Sequence, residues 1–420
     1  MGNAISFSEN MVTNQKKIKW VALQPLIGGQ AIGAEKAFGC PPAMILNYDG
    51  VANTSAYVHY MNNVRKLNIP YYEFEGDIYS NSKTFKNNVS PDFSDIDVVS
   101  AVPICSGLST ANAVNDKTKE NARGANAKQN NNMLNCADFT LGTIKPKCYI
   151  FENAPGLFTN AGKGVRDKLD AMAKHYGYSV TYVKTNTCYH HNVQWTTRTF
   201  VIFTKGKNAT FYKVDNSYKG TIKDYLSSIT PDAAYQDVLG IKDFEHNGWI
   251  KYMAAKYGND YRKEWEKTKL PSVSGIIINN NDEDFACQFM TKSQQKQTRH
   301  ARKKYDMGLN HFDNSPCYFN DHKVCTIFGR TYTRLLHAYE ERGYNMRELL
   351  AFMGMPNDYE WPDAEKKMNW IGQNVPVMTA YDWHLQIKEF LEGKLSTSDE
   401  QVIMLDNTKQ KKEFKFGYSS

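Results

Sequence analysis

The stretch DIDVVSAVPICSGLSTANA, residues 95–113, reads as a short buried strand over 96–102 that delivers one cysteine, Cys105, to a loop of glycine and small polar residues. A lone cysteine at a strand end is more often a small buried hydrophobe than a nucleophile. Two further residues change that reading. Glu152, in FENAPGL, ends the next strand of the sequence, so in a parallel sheet it sits beside Cys105. A carboxyl at that place can protonate or hold a ring nitrogen. Arg198, in QWTTRTF, opens a later strand of the same sheet, and alone it would pass for half of a surface ion pair.

The elements that must position these residues follow from the hydrophobic pattern. Strand-like runs cover 18–26, 43–49, 69–78, 96–102, 145–157, 178–186 and 197–206, and helical patterns cover 29–39, 54–67 and 162–177. Such alternation implies an α/β fold with a mostly parallel sheet covered on both faces. Ligands of such sheets bind at the C-terminal ends of the strands. That rule gathers Gly28, Asn47, Asp77, Cys105 and Glu152 on one edge. From about 207 to 365 the alternation fades into an irregular stretch richer in lysine and aromatics, read as a second domain. Residues 368–393 hold a turn and a helix that begins near Val377 and packs back on the core, and the polar tail from about 394 is expected to be mobile. The asparagine-rich piece NARGANAKQNNN, 121–132, is expected to be flexible.

Composition narrows the class. The 420 residues exceed one ordinary domain, and 41% hydrophobic against 23% charged residues can fill a core. A formal net charge of +7 permits a nucleic-acid partner without requiring one. No apolar run reaches membrane-spanning length, and the N-terminal segment has no apolar core of a signal peptide, so a cytoplasmic protein with reduced thiols is expected. His311, Cys317, His322 and Cys325 could be imagined around zinc, but their spacing fits no common zinc pattern, and no metal is expected. KSQQKQTRHARKKYD, 292–306, carries Lys292, Lys296, Arg299, Arg302, Lys303 and Lys304; a lone charge run is usually a solvated helix face.

In chain order, LIGGQAIGAEKAFG, NYD (47–49), EGDI (75–78), PICSGLS (103–109), ENAPGL (152–157), QWTTR (194–198), MRELLAFMGMPNDYEW (346–361) and IGQNVPV (371–377) resemble the motifs of the DNA cytosine-5 methyltransferases, of bacterial or phage type. The resemblance spans nearly the whole chain, with a variable region between the sixth and seventh matches. It implies a Rossmann-like catalytic domain over 1–206 and 366–420, which binds S-adenosylmethionine, and a target-recognition domain over 207–365 that binds double-stranded DNA. A monomer is expected. By this resemblance Cys105 adds to C6 of a flipped-out cytosine, turning C5 into an enamine-like carbon that takes the methyl group. Glu152 hydrogen-bonds N3, and Arg198 orients the base. The resemblance also implies donor contacts at Ile27, Gly28, Gly29, Asn47, Tyr48, Asp77, Ile78, Gln373 and Val375, and DNA contacts at Ser109, Lys296, Arg299, Arg302 and Lys303. The stretch 107–132 would be the loop that closes over the base.

The chain departs from the family pattern mainly where the donor binds. Gln24 and Leu26 stand in the Phe-x-Gly opening of the first motif, Asn47 replaces the ribose-binding acid, and Gln373 replaces the asparagine of the last motif. Ile104 stands where proline directly precedes the nucleophile, with Pro103 one place earlier; Ser106 replaces glutamine and Thr196 an arginine. Losing a tight-turn glycine demands another backbone path. Three readings follow: an ordinary S-adenosylmethionine-dependent enzyme, one that takes a modified sulfonium donor, and a non-catalytic DNA-binding relative. The first is favoured as the ordinary case, and retention of Cys105, Glu152 and Arg198 together argues against the third. RNA stays open as a substrate, although the basic second domain suits duplex DNA better.

Overall fold

Apolar runs of four to nine residues build one eight-stranded sheet in the computed structural model. The structure describes residues 17–408 apart from 50, 52, 78–80, 110–124, 228–246, 271, 309–314, 319–326, 328–333, 339, 341 and 361–368. The strands are β1 (Trp20–Leu23), β2 (Met44–Asp49), β3 (Tyr71–Asp77), β4 (Val98–Ala101), β5 (Cys148–Asn153), β6 (Tyr178–Asn186), β7 (Thr197–Lys205) and β8 (Val402–Asp406). They lie in the order β8-β6-β7-β5-β4-β1-β2-β3. β7 runs antiparallel to both neighbours, and every other pairing is parallel. Every residue of β1, β4 and β5 is buried, as expected of strands covered on both faces. This is the Rossmann-like α/β sheet the alternation implies.

Helices α1 (Gly29–Phe38), α2 (Thr54–His59) and α6 (Val377–Leu391) share one buried apolar cluster with β1, β5 and β7. Helices α3 (Asn130–Phe139) and α4 (Lys163–Tyr176) share the cluster on the other face. A polar chain ties α1 and α6 to β4. Gln30 donates to Ser100 Oγ at 3.0 Å, and the Ser100 hydroxyl meets His384 Nε2 at 2.9 Å. His384 Nδ1 pairs with the Ala380 carbonyl at 2.7 Å. Burial holds the His384 imidazole well below its usual range, at about 4, so the ring is neutral.

β1 sits between β4 and β2, and there the order of connection reverses. The C-terminal ends of β1 and β4 therefore flank the switch point, where an open α/β sheet leaves its crevice. Cys105 follows β4 directly.

Three expectations are corrected. Residues 394–408 of the tail are structured: VIMLD, 402–406, is the edge strand β8 on β6, pinned at its end by buried Asn407, whose amide donates to Thr185 Oγ1 at 2.8 Å. Asn130, Asn131 and Asn132 are the first turn of α3, with Asn130 and Asn132 buried, so this part of the asparagine-rich piece is structured. The helix over 54–67 is α-helical only to His59 and widens into a π turn over Tyr60–Val64.

A third cluster gathers Trp249, Tyr252, Trp265, Ile276, Met290 and Tyr318, separate from the two that flank the sheet. Helices over Gly248–Tyr257, Tyr261–Thr268 and Val273–Asn280, with α5 (Lys292–Asp306), form much of this part. Residues 346–359 pack instead with the cluster of α1 and α6.

Candidate active site

β5 and β7 bring the first two functional groups together. Glu152 faces Phe200 across that ladder, so Arg198, two residues earlier on the antiparallel strand, reaches the same sheet edge. Arg198 Nη1 donates to Glu152 Oε1 at 3.1 Å, and both side chains are buried. The other arm, Nη2, donates to the Asn374 carbonyl at 3.0 Å. Glu152 Oε2 and Arg198 Nε are buried with no hydrogen-bond partner. A buried carboxylate oxygen and a guanidinium N–H left unpaired are costly in a folded chain and mark a place where a polar ligand would be welcome.

Cys105 is half-buried beside this pair. Its thiol is pushed up to about 11, first by burial and then by the Glu152 charge, while Arg198 pulls it down. Burial also raises the Glu152 carboxyl above its usual range against the opposing pull of Arg198. An ionised Glu152 thus disfavours a second negative charge on the thiol. An arrangement of this kind can add sulfur to an electron-poor ring carbon while the neighbouring carboxylic acid holds the ring nitrogen that gains charge.

The turn carrying Cys105 is clamped on several sides. Leu108 N–H closes it onto the Cys105 carbonyl at 3.1 Å. A side chain at Gly107 would collide with Asn130 Oδ1, and one at Gly156 would collide with the Leu108 carbonyl. Asn132 Oδ1 accepts from the Ile104 N–H at 2.9 Å, and Asn153 Nδ2 donates to the Ile104 carbonyl at 3.5 Å. Ser109 is half-buried in the segment that follows.

The turn after β1 carries the altered glycine motif. Leu26 holds a φ of 55° and Gln24 one of 47°. The chain holds a left-handed conformation at Leu26 without glycine and accepts the strain a Cβ brings there. Gly28, at φ 100°, is the N-cap of α1, and the Tyr57 ring lies against it so closely that a Cβ would clash. Gly29 N–H donates to Asn374 Oδ1 at 2.9 Å, and its Cα faces the Val375 carbonyl. The Ile27 carbonyl accepts from the Tyr359 hydroxyl at 2.7 Å. Exposed Gln373 accepts from Asn53 at 3.3 Å. The residue of the last motif that touches both the glycine turn and Arg198 is Asn374, which motif reading passed over.

Asn47 and Tyr48 are occupied by the protein itself. Asn47 donates to the Val51 carbonyl at 3.1 Å and to Tyr71 Oη at 3.3 Å, and accepts from Thr54 Oγ1 at 3.0 Å. The Tyr48 ring stacks on Phe74 at 4.2 Å between centroids, and Phe74 on Phe85 at 4.4 Å. The Asp77 backbone pairs with Asp49, and Ile78 lies outside the described residues. The start of α1, where Gly28 brings no side-chain cap and two glycines leave the backbone bare, fits the charged amino-acid end of a sulfonium donor. As placed, Asn47 and Tyr48 do not fit its nucleoside end. Buried Gln24 Nε2 and Gln30 Oε1 at the same turn have no partner.

On α5, Lys292, Lys296, Arg299 and Lys303 are exposed, whereas Arg302 is turned inward onto Glu283, the Ile278 carbonyl and Asn281 Oδ1. Cys317 is buried, while His311, His322 and Cys325 lie outside the described residues. No group of three potential metal ligands occurs among the described residues. Among them no helix is long and apolar enough to cross a membrane.

A switch-point crevice with a thiol, a carboxyl and an arginine at its rim defines a Rossmann-like transferase, and the comparisons narrow the class. The family model for C-5 cytosine-specific DNA methylases matches residues 23–389. The chain belongs to that family and is a DNA cytosine-5 methyltransferase, which implies S-adenosylmethionine as donor and DNA as substrate. Solved structures share the fold. An E. coli protein encoded within a prophage, assigned as a DNA modification methyltransferase, is 15% identical with a TM-score of 0.52, covering 89% of this chain and 99% of that one. A mutant of Spodoptera frugiperda DNMT2 is 11% identical with a TM-score of 0.52, covering 89% and 100%. The Entamoeba histolytica methyltransferase EhMeth is 12% identical with a TM-score of 0.51, covering 90% and 99%. A search of curated proteins finds no match.

Proposed function

We propose that Cys105 is the nucleophile of cytosine-C5 methylation on double-stranded DNA, with Glu152 and Arg198 as its partners. The observation that carries this is the buried Glu152–Arg198 pair, with one unpaired polar atom on each side chain, set against a half-buried thiol. Cys105 loses its proton to water and its sulfur adds to C6 of a flipped-out base. The electron pair displaced from the C5–C6 bond moves toward N3, where protonated Glu152 donates a hydrogen bond. Arg198 holds Glu152 in register and is itself held by the Asn374 carbonyl. C5 is then electron-rich and bonds the methyl carbon; loss of the C5 proton to a base re-forms the double bond and expels the thiolate.

Gly28 and Gly29 at the start of α1 would hold the amino-acid end of the donor, which supplies an electrophilic methyl group. A second reading is a donor with a larger transferable group. It is favoured by the unpaired amide atoms of Gln24 and Gln30 and by Asn47, whose bonds all run to the protein. The third cluster, with the exposed cations of α5, is the part proposed to read the target, and the enzyme acts as a monomer. Nucleoside mass spectrometry of DNA from cells expressing the protein tests the transferred group. A gain of one methyl on deoxycytidine, absent with Cys105→Ser, is expected. A heavier substituent would support the second reading, and no modified cytosine would overturn the proposal.

A further inference from the structure

In the motif that Cys105 occupies, proline directly precedes the nucleophile, and proline has no N–H. Here Ile104 brings an N–H to that peptide, on the rim of a site where an unpaired buried donor is costly. The structure gives it a partner from another element. Asn132, fully buried in the first turn of α3, accepts from the Ile104 N–H at 2.9 Å through Oδ1. From the other side Asn153, also fully buried, reaches the Ile104 carbonyl at 3.5 Å. Both peptides flanking Ile104 are therefore held by asparagines, and the second of these peptides leads into Cys105. Asn130 sits under the same turn, so close to Gly107 that a Cβ there would collide with its Oδ1.

We infer that Asn132 is a positioning residue for the nucleophile: its amide replaces the rigidity that proline would give the peptide before Cys105 and so fixes the direction of the thiol. Where proline restricts the backbone through its ring, this chain does so through a buried hydrogen bond from α3. The inference rests on Cys105 being the nucleophile. It assigns to the asparagine-rich stretch, in its last residues, a task distinct from closing over the base.

The test measures adduct formation on long duplex DNA made with 5-fluorodeoxycytidine, in the presence of S-adenosylmethionine, for wild type, Asn132→Ala, Ile104→Pro and the double variant. Fluorine cannot leave C5 as a proton does, so the sulfur–C6 bond persists. A displacement of the thiol predicts a fall of about 10- to 100-fold in the maximal rate for Asn132→Ala. The DNA concentration at half-maximal rate should stay within about twofold. Ile104→Pro abolishes the N–H and supplies the ring, so the double variant should recover to within about threefold of Ile104→Pro alone. An unchanged rate for Asn132→Ala, or a double variant no faster than it, overturns the inference. Should Asn132→Ala be isolated unfolded, a folded and active double variant supports the inference, and an equally unfolded one contradicts it. Absence of an adduct with wild type would instead count against S-adenosylmethionine-dependent attack by Cys105, the reading on which the inference rests, a result separate from any effect of Asn132.

Discussion

At the residue scale the site is governed by one shared negative charge. Burial and the Glu152 charge raise the cost of ionising Cys105, burial raises it for Glu152, and Arg198 lowers it for both. With the thiol pushed up to about 11, the DNA-free protein holds a neutral thiol near pH 7. The thiolate fraction then rises with pH all the way toward that value. Iodoacetamide alkylation of Cys105, followed by peptide mapping, should therefore accelerate by about tenfold per pH unit between pH 7 and 9. A rate already level by pH 8 would show a thiol activated in the free protein and contradict this account. The trio was legible in the sequence because strand ends and motif order placed its three members. Asn132 and Asn374 were not, because their value lies in backbone groups of distant segments: the Ile104 N–H, 28 residues away, and the Gly29 N–H, 345 residues away. No local pattern encodes such a partner.

At the element scale the helix α5 separates what the charge run suggested from what it presents. Lys292, Lys296, Arg299 and Lys303 recur at a spacing of four, three and four residues, which places them on one helical face, and all four are exposed. Arg302 falls about 80° off that stripe by helical period and is bonded inward, so helical geometry could have set it apart. A stripe of four cations spans about 16 Å and suits successive phosphates. Replacing Lys296 and Arg299 together by alanine should flatten the slope of log affinity against log salt for duplex DNA by about two, roughly one per lost phosphate contact. An unchanged slope would take α5 out of the DNA interface. The same scale explains β8. A polar tail suggests mobility, yet VIMLD is apolar and β-prone, and it finds an open edge on β6 that the sequence before it does not announce.

At the scale of the whole molecule, the sheet order makes a catalytic rim from segments far apart in the chain. β1 and β4 part at the switch point, β5 carries the carboxyl, and antiparallel β7 folds back so that its first residues reach the same rim. The alternation of strands and helices made the α/β class legible. The donor wall was less so: sequence marked Asn47 and Leu26 as departures, but only packing shows Asn47 satisfied by Val51, Thr54 and Tyr71, and Leu26 left-handed without glycine. These features concern which group is transferred. The central claim concerns the bond that forms first, and it can be trapped once S-adenosylmethionine has delivered its methyl group. The protein is incubated with duplex DNA containing 5-fluorodeoxycytidine and S-adenosylmethionine, digested, and mapped by peptide mass spectrometry. The account predicts one nucleotide adduct, on the peptide containing Cys105, and none with Cys105→Ser. An adduct on another cysteine, or one that persists in Cys105→Ser, would contradict it.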